Sequence, residues 1–199
     1  MHLSNIQFPV DFKFHIATIA NDFSITDAMG KQICFVREKM FTLRDVIKVY
    51  NDSSKSKLLY ELRSNKLIDF QQTFTITNYK GETIGKVKRK TLKSFWTATF
   101  HIYDENDNHI FTINERSGLT RMLDGFFGEI PIIGALSGYV FNPKYVLKNL
   151  NEAELMEITK EPSFWGRKFK LNNISAKPEH YELFILSYMI LLIADRERG

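Results

Sequence analysis

The residues best suited to chemistry lie in GKVKRKTLKSFW, where Lys86, Lys88, Arg89, Lys90 and Lys93 sit beside Phe95 and Trp96. If this run is a β-strand, alternate residues share a face. Lys86, Lys88 and Lys90 then line up at intervals of roughly 7 Å, a spacing matched to the phosphates of anionic lipid headgroups. Lys80, across the same turn, extends the patch. The plainer reading is a solvated strand whose lysines discourage edge pairing. Nucleic acid is disfavoured as a partner, because no recognised nucleic-acid motif accompanies the charge.

Calcium is the second candidate chemistry. In DENDNHIFTINE, Asp104, Asn106, Asn108 and Glu115 fall at positions one, three, five and twelve of a calcium-loop pattern. His109 occupies the sixth position, where such a loop needs glycine for its sharp turn, and the flanks read as strands rather than helices. The reading adopted is that there is no metal and no cofactor, with calcium held as an alternative. His2, His15, His101, His109 and His180 show no metal-ligand spacing, and Cys34 has no neighbouring histidine. His101 and His109 face each other across a predicted hairpin, where surface or satisfied histidines are the expected outcome. GALSGY is not a nucleophile elbow, and neither a phosphate-binding loop nor a dinucleotide fingerprint is present. No catalytic residue is assigned, and the chain is read as a non-enzyme.

Three segments that align without gaps supply the elements that position these residues: ITDAMGKQICFVREK, ITNYKGETIGKVKRK and IYDENDNHIFTINER. Each carries isoleucine, a β-former, Asp or Asn, a turn cluster, and a second isoleucine eight positions after the first. They read as one β-hairpin written three times. Asp27, Asn78 and Asp104 start the turn by hydrogen-bonding their own backbone, and Gly30, Gly81 and Asn108 are placed where φ is positive. Further strand-like runs start at Phe12, Asp45, Lys57, Ser94, Ala153 and Phe164, for about a dozen strands in all. A sheet of that size closes on itself to remove its edges.

The stretch from Leu183 to Ala194 is apolar on nearly every side, so as a helix it must be surrounded by apolar material. Its uncharged core of about 12 residues is roughly 18 Å long, against roughly 30 Å for a bilayer's hydrocarbon layer. No transmembrane span is therefore expected. The helix, at about 178–195, is instead predicted to thread the closed barrel. The segment from Ser117 to Pro143 is an apolar helical or loop insertion, in which Phe126, Phe127, Ile132 and Ile133 are candidate contacts to a membrane or a protein. Its plain role is to cover one end of the barrel.

Composition agrees with this outline. A chain of 199 residues, 44% hydrophobic and 14% aromatic, supports one core and favours β-structure, so residues 1–199 are read as one domain. A single cysteine excludes a disulfide framework and fits a reducing cytoplasm. The N-terminal stretch lacks the pattern of a secretory signal, so a soluble cytoplasmic protein, peripheral to membranes at most, is expected. Net charge is +4, which permits attraction to anionic surfaces without requiring it.

The succession FSITDAMGKQICFVREK, FTLRDVIKVYNDSSKSKLLYELRSNKL and QTFTITNYKGETIGKVKRK, with the apolar C-terminal helix, resembles the LURP-one-related proteins, which group with tubby C-terminal domains and phospholipid scramblases. The resemblance runs from Phe12 to about Arg116 and from Glu152 to Ala194, and leaves the insertion outside the pattern. It implies a mainly β (α+β) fold: a closed antiparallel barrel of about twelve strands around a central hydrophobic helix. It also implies membrane-related chemistry, since tubby domains bind phosphoinositides through basic residues and scramblase-like proteins associate with membranes. No tubby lipid-binding motif matches residue by residue, so no site is carried over. The leading expectation is a binding module for anionic phospholipid, using Lys86, Lys88, Arg89, Lys90 and Lys93. The alternatives are a protein-interaction or scaffold domain docking through the insertion and, third, a scramblase-like membrane protein.

Overall fold

The computed structural model describes residues 5–15, 22–39, 46–65, 71–91, 98–116, 144–162 and 167–196. Twelve strands form in these segments: β1 (Val10–Phe14), β2 (Phe23–Thr26), β3 (Gln32–Lys39), β4 (Val46–Tyr50), β5 (Leu58–Asn65), β6 (Gln71–Asn78), β7 (Thr83–Thr91), β8 (Ala98–Tyr103), β9 (His109–Glu115), β10 (Lys144–Asn149), β11 (Glu154–Glu161) and β12 (Lys168–Asn173). A short 3₁₀ turn, Pro178–His180, leads into helix α1, Tyr181–Arg196. Each strand pairs antiparallel with its neighbours in sequence, and β1 pairs with β12 through Val10↔Leu171 and Phe12↔Phe169 to close the barrel. Closure leaves no edge among these twelve strands unpaired.

Alternation decides which residues point inward. Phe12, Ile25, Val36, Val49, Leu62, Ile76, Val87, Ile102, Ile113, Leu147, Ile158 and Leu171 are each fully buried, one from every strand. Their neighbours in sequence are mostly polar and face outward, as the period of two requires. Helix α1 fills the space these residues enclose. Phe184 through Ala194 are buried on all sides, including Ser187, whose hydroxyl donates to the Leu183 carbonyl at 2.7 Å. The Tyr188 hydroxyl donates to the Met156 carbonyl of β11 at 3.2 Å, and the Phe184 and Phe111 rings meet edge to face, 4.7 Å apart. No helix among the described residues is long and apolar enough to cross a membrane.

Gly85, on β7, marks where the helix and wall come closest. A Cβ built there would lie 2.8 Å from Leu183 Cδ1 and 2.8 Å from the Tyr103 carbonyl oxygen. The missing side chain is what admits the helix. At the helix entrance, Asn173 fastens the link from β12: its Oδ1 accepts from the Ala176 amide at 2.8 Å, and its Nδ2 donates to the Tyr181 hydroxyl at 2.8 Å. Tyr60, on β5, lies near the carboxylate of Glu182 in the first helical turn. Burial, reinforced by that carboxylate, pushes the Tyr60 phenol far up.

The hairpin repeat is real and extends beyond the three predicted copies. Asp27 Oδ1 accepts from the amides of Met29 and Lys31, Asn78 Oδ1 from Lys80 and Glu82, and Asp104 Oδ1 from Asn106 and Asn108, all at 2.8–3.0 Å. Asn149 repeats the pattern toward Asn151 and Ala153, both at 2.9 Å. The residue three positions after each of these has positive φ: Gly30 (76°), Gly81 (83°), Asp107 (64°) and Glu152 (62°). Asn108 was expected in that role and does not hold it. The left-handed position belongs to Asp107, one residue earlier, because the turn closes by donation from the Asp107 amide to the Asp104 carbonyl.

A meander sends alternate connections to opposite ends, so these four turns share one end of the barrel with the β4–β5 turn and the helix entrance. Met29, Tyr79 and Leu150 at the turn tips, with Ile174 beside the entrance, are the exposed large apolar residues among those described. The other barrel end connects through segments outside the described residues.

Candidate anion-binding face

Strand β7 supplies the basic residues. Gly85 and Val87 are buried inside the barrel, so Lys86, Lys88 and Lys90 project from its outer surface, as the alternation predicts. Arg89 falls on the opposite parity and faces inward with Val87, so it does not join the lysine row. Lys93, with Phe95 and Trp96, lies outside the described residues, as do Phe126, Phe127, Ile132 and Ile133 of the predicted insertion.

The pairing register shows what surrounds the lysines. Lys86 lies between Thr75 and Tyr103, Lys88 between Thr73 and His101, and Lys90 between Gln71 and Thr99. On the far side of β8, His101 pairs with Thr112, which in turn pairs with Lys148 on β10. The face is therefore a belt of lysine, threonine and histidine.

Its charges are not equivalent. Lys86 Nζ is held 2.7 Å from the carboxylate of Asp107, and Lys148 Nζ is 2.9 Å from that of Glu152. Lys88 Nζ sits 4.1 Å from the centre of the Tyr103 ring, a cation–π contact that leaves its charge uncompensated. Lys90 is exposed. Among the described residues, neither Lys88 nor Lys90 has a carboxylate partner. Lys80, in the turn, lies 5.8 Å over the Tyr79 ring rather than on the β7 face.

Between the strands, His101 and His109 do meet. His101 Nδ1 and His109 Nε2 are 3.0 Å apart, and His109 Nε2 is also 3.0 Å from the Phe111 carbonyl oxygen and 3.0 Å from Thr112 Oγ1. A carbonyl only accepts, so the proton belongs on His109 Nε2, and His101 Nδ1 faces it as an acceptor. This arrangement leaves His101 Nε2 as the ring's N–H. Partial burial, then the charge of Lys90 and the neighbouring imidazole, pull the His101 pKa down to about 4.

The calcium candidates do not converge. Both carboxylate oxygens of Asp104 are used within its turn, Oδ1 by backbone amides and Oδ2 by the Asn108 side chain at 2.9 Å. These hydrogen bonds, led by those from Asn108, hold its carboxyl below the usual range. Glu115 is at the opposite end of β9, roughly 20 Å along the strand. No three His, Cys, Asp or Glu side chains among the described residues are grouped to hold a metal ion.

Tyr103, Asp107 and Thr112 complete the face without having been singled out from sequence. The repeat alignment already held the needed signal, because it fixes the register that sets them beside Lys86, Lys88 and His101. Fold and face together define a closed up-and-down barrel enclosing its own C-terminal helix, with one basic outward strand. The chain belongs to the LURP-one-related family, whose pattern matches residues 63–186, more than half its length. That match takes in the 117–143 segment, which the resemblance read from sequence had left outside. No curated protein and no solved structure matches the chain.

Proposed function

We propose that the barrel is a non-enzymatic binding module that recognises an anionic phospholipid headgroup, docking peripherally through the outer face of β7. The observation that supports this most is the pair Lys88 and Lys90, adjacent on one outward face and free of carboxylate partners among the described residues. Paired lysines such as Lys86 have already spent much of their electrostatic attraction on Asp107. Threonine hydroxyls on β6 and β8 flank the row and can donate to phosphate oxygens. Attraction of this kind amounts to about 1 kcal/mol per basic residue near an anionic surface and fades within a Debye length of roughly 8 Å at physiological salt.

Sedimentation with phosphatidylcholine vesicles, with and without phosphatidylinositol bisphosphate, tests the proposal. Binding should require the anionic lipid and weaken with salt. The double substitution Lys88→Gln with Lys90→Gln should reduce affinity roughly 30-fold, the equivalent of about 2 kcal/mol. Lys86→Gln should have a smaller effect. Equal binding to both vesicle types, or an unaffected double variant, excludes this face as the site.

A further inference from the structure

We infer that His101 is a proton-linked ligand of this same face, so that a phosphate group is bound jointly by Lys88, Lys90 and an imidazole that takes up a proton as the anion arrives. The inference rests on the anionic reading of β7 and adds a residue and a coupling to it. His101 is the direct cross-strand neighbour of Lys88 and lies next to the Lys90↔Thr99 pair, on the same outward face. Its Nδ1 is occupied by His109, which leaves Nε2 to donate outward.

Several groups face His101 among the described residues. Lys86, Lys88 and Lys90 lie on β7, Thr99 and Tyr103 on its own strand, His109 and Thr112 on β9, and Lys148, paired with Glu152, beyond them on β10. Among the described residues, the carboxylate that meets the lysine row is that of Asp107, and Lys86 holds it. Partial burial, reinforced by this positive field, keeps His101 neutral at neutral pH. A bound phosphate supplies the missing negative charge. The proton on His109 Nε2 passes to His101 Nδ1 while His109 takes one from solvent at its Nδ1, so His109 Nε2 becomes the acceptor and gives up its donation to the Phe111 carbonyl. A metal ion is the other ligand two close imidazoles suggest. The lysines repel it, and no third ligand is grouped with the pair among the described residues.

Coupling of this kind is reciprocal: the anion raises the His101 pKa by the same factor by which protonation tightens anion binding, tenfold for each pKa unit. The test is an NMR titration of the histidine carbons in the full chain, alone, with inositol 1,4,5-trisphosphate and with inorganic phosphate. Reading the imidazole directly avoids confusion with the ligand's own second ionisation near pH 6. A rise of the His101 pKa by about one unit with the trisphosphate alone supports a headgroup site; an equal rise with inorganic phosphate supports a site for free phosphate. Perturbed amides on β7 with an unmoved His101 would overturn the coupling and leave the proposed function standing. No perturbation by either probe, and none in the vesicle assay, would overturn both. Lys90→Gln provides a check without ligand: the free His101 pKa should rise above about 4 but stay below its ordinary 6.5, because burial remains, and a failure to rise refutes the electrostatic adjacency.

Discussion

Replacing Gly85 with alanine puts the packing of helix against wall to a quantitative test. The new Cβ would meet Leu183 Cδ1 and the Tyr103 carbonyl oxygen, each at 2.8 Å. The leucine methyl is the end of a flexible side chain and can rotate away. The carbonyl belongs to β8 within the paired sheet and cannot yield without disturbing the β7–β8 register. Overpacking of this sort costs about 1–3 kcal/mol, against about 0.4–1 kcal/mol recovered because alanine is less free than glycine when unfolded. A net loss of about 1–2 kcal/mol follows, or roughly 2–8 °C in melting temperature for a chain of this size. Guanidinium unfolding followed by circular dichroism should show a lower midpoint at unchanged slope. Adding Leu183→Ala should recover the share carried by the methyl contact, so the double variant should be more stable than the sum of the single losses predicts. Gly85→Ala at or above wild-type stability would falsify the claim that this glycine admits the helix.

Other perturbations probe separate parts of the molecule. Gly81→Ala, with φ held at 83° and open space around the added methyl, should cost about 1 kcal/mol through backbone strain alone, measured by the same unfolding curve. Asp104→Ala should lower the unfolding midpoint, since it removes the acceptor of two turn amides, and an unchanged midpoint would show that the turn does not depend on it. Tyr188→Phe should cost roughly 0.5–1.5 kcal/mol for the lost hydrogen bond to Met156, and an unchanged midpoint would show that this bond contributes nothing. Because the folded His101 pKa lies below its ordinary 6.5, its contribution to stability is complete above pH 6.5 and is lost as pH falls toward 4. His101→Gln should flatten that part of the stability–pH profile, and a profile identical to wild type argues against the shift.

Much of this architecture was legible because it is written in local chemistry. Asp27, Asn78 and Asp104 announce their turns by side-chain type, and the all-round apolar run from Leu183 to Ala194 demands an enclosing wall. The Asn149 turn follows the same rule, with Leu147 and Leu155 in place of the two isoleucines, and so escaped a pattern built on isoleucine. Strand parity placed Lys86, Lys88 and Lys90 correctly, and the same parity removes Arg89 from a cluster assembled by sequence proximity. Gly85 gave no warning, since a glycine within a strand does not reveal which distant residue approaches it. The His101–His109 contact required the register of the whole hairpin, including the shift between Ile102 and Tyr103 that keeps His109 on the outer face.

The position of the helix after β12 constrains how the chain can be made. Almost every strand pairing joins neighbours in sequence and can zip up as the chain leaves the ribosome, whereas Val10↔Leu171 closes a loop spanning most of the polypeptide. A barrel that sealed before the helix was in place would enclose an unfilled apolar interior. Keeping the β1–β12 seam open until residues 181–194 have emerged avoids that state. Helix entry and seam closure then become one late event, during which a wide apolar sheet surface stands exposed and dependent on protection from aggregation.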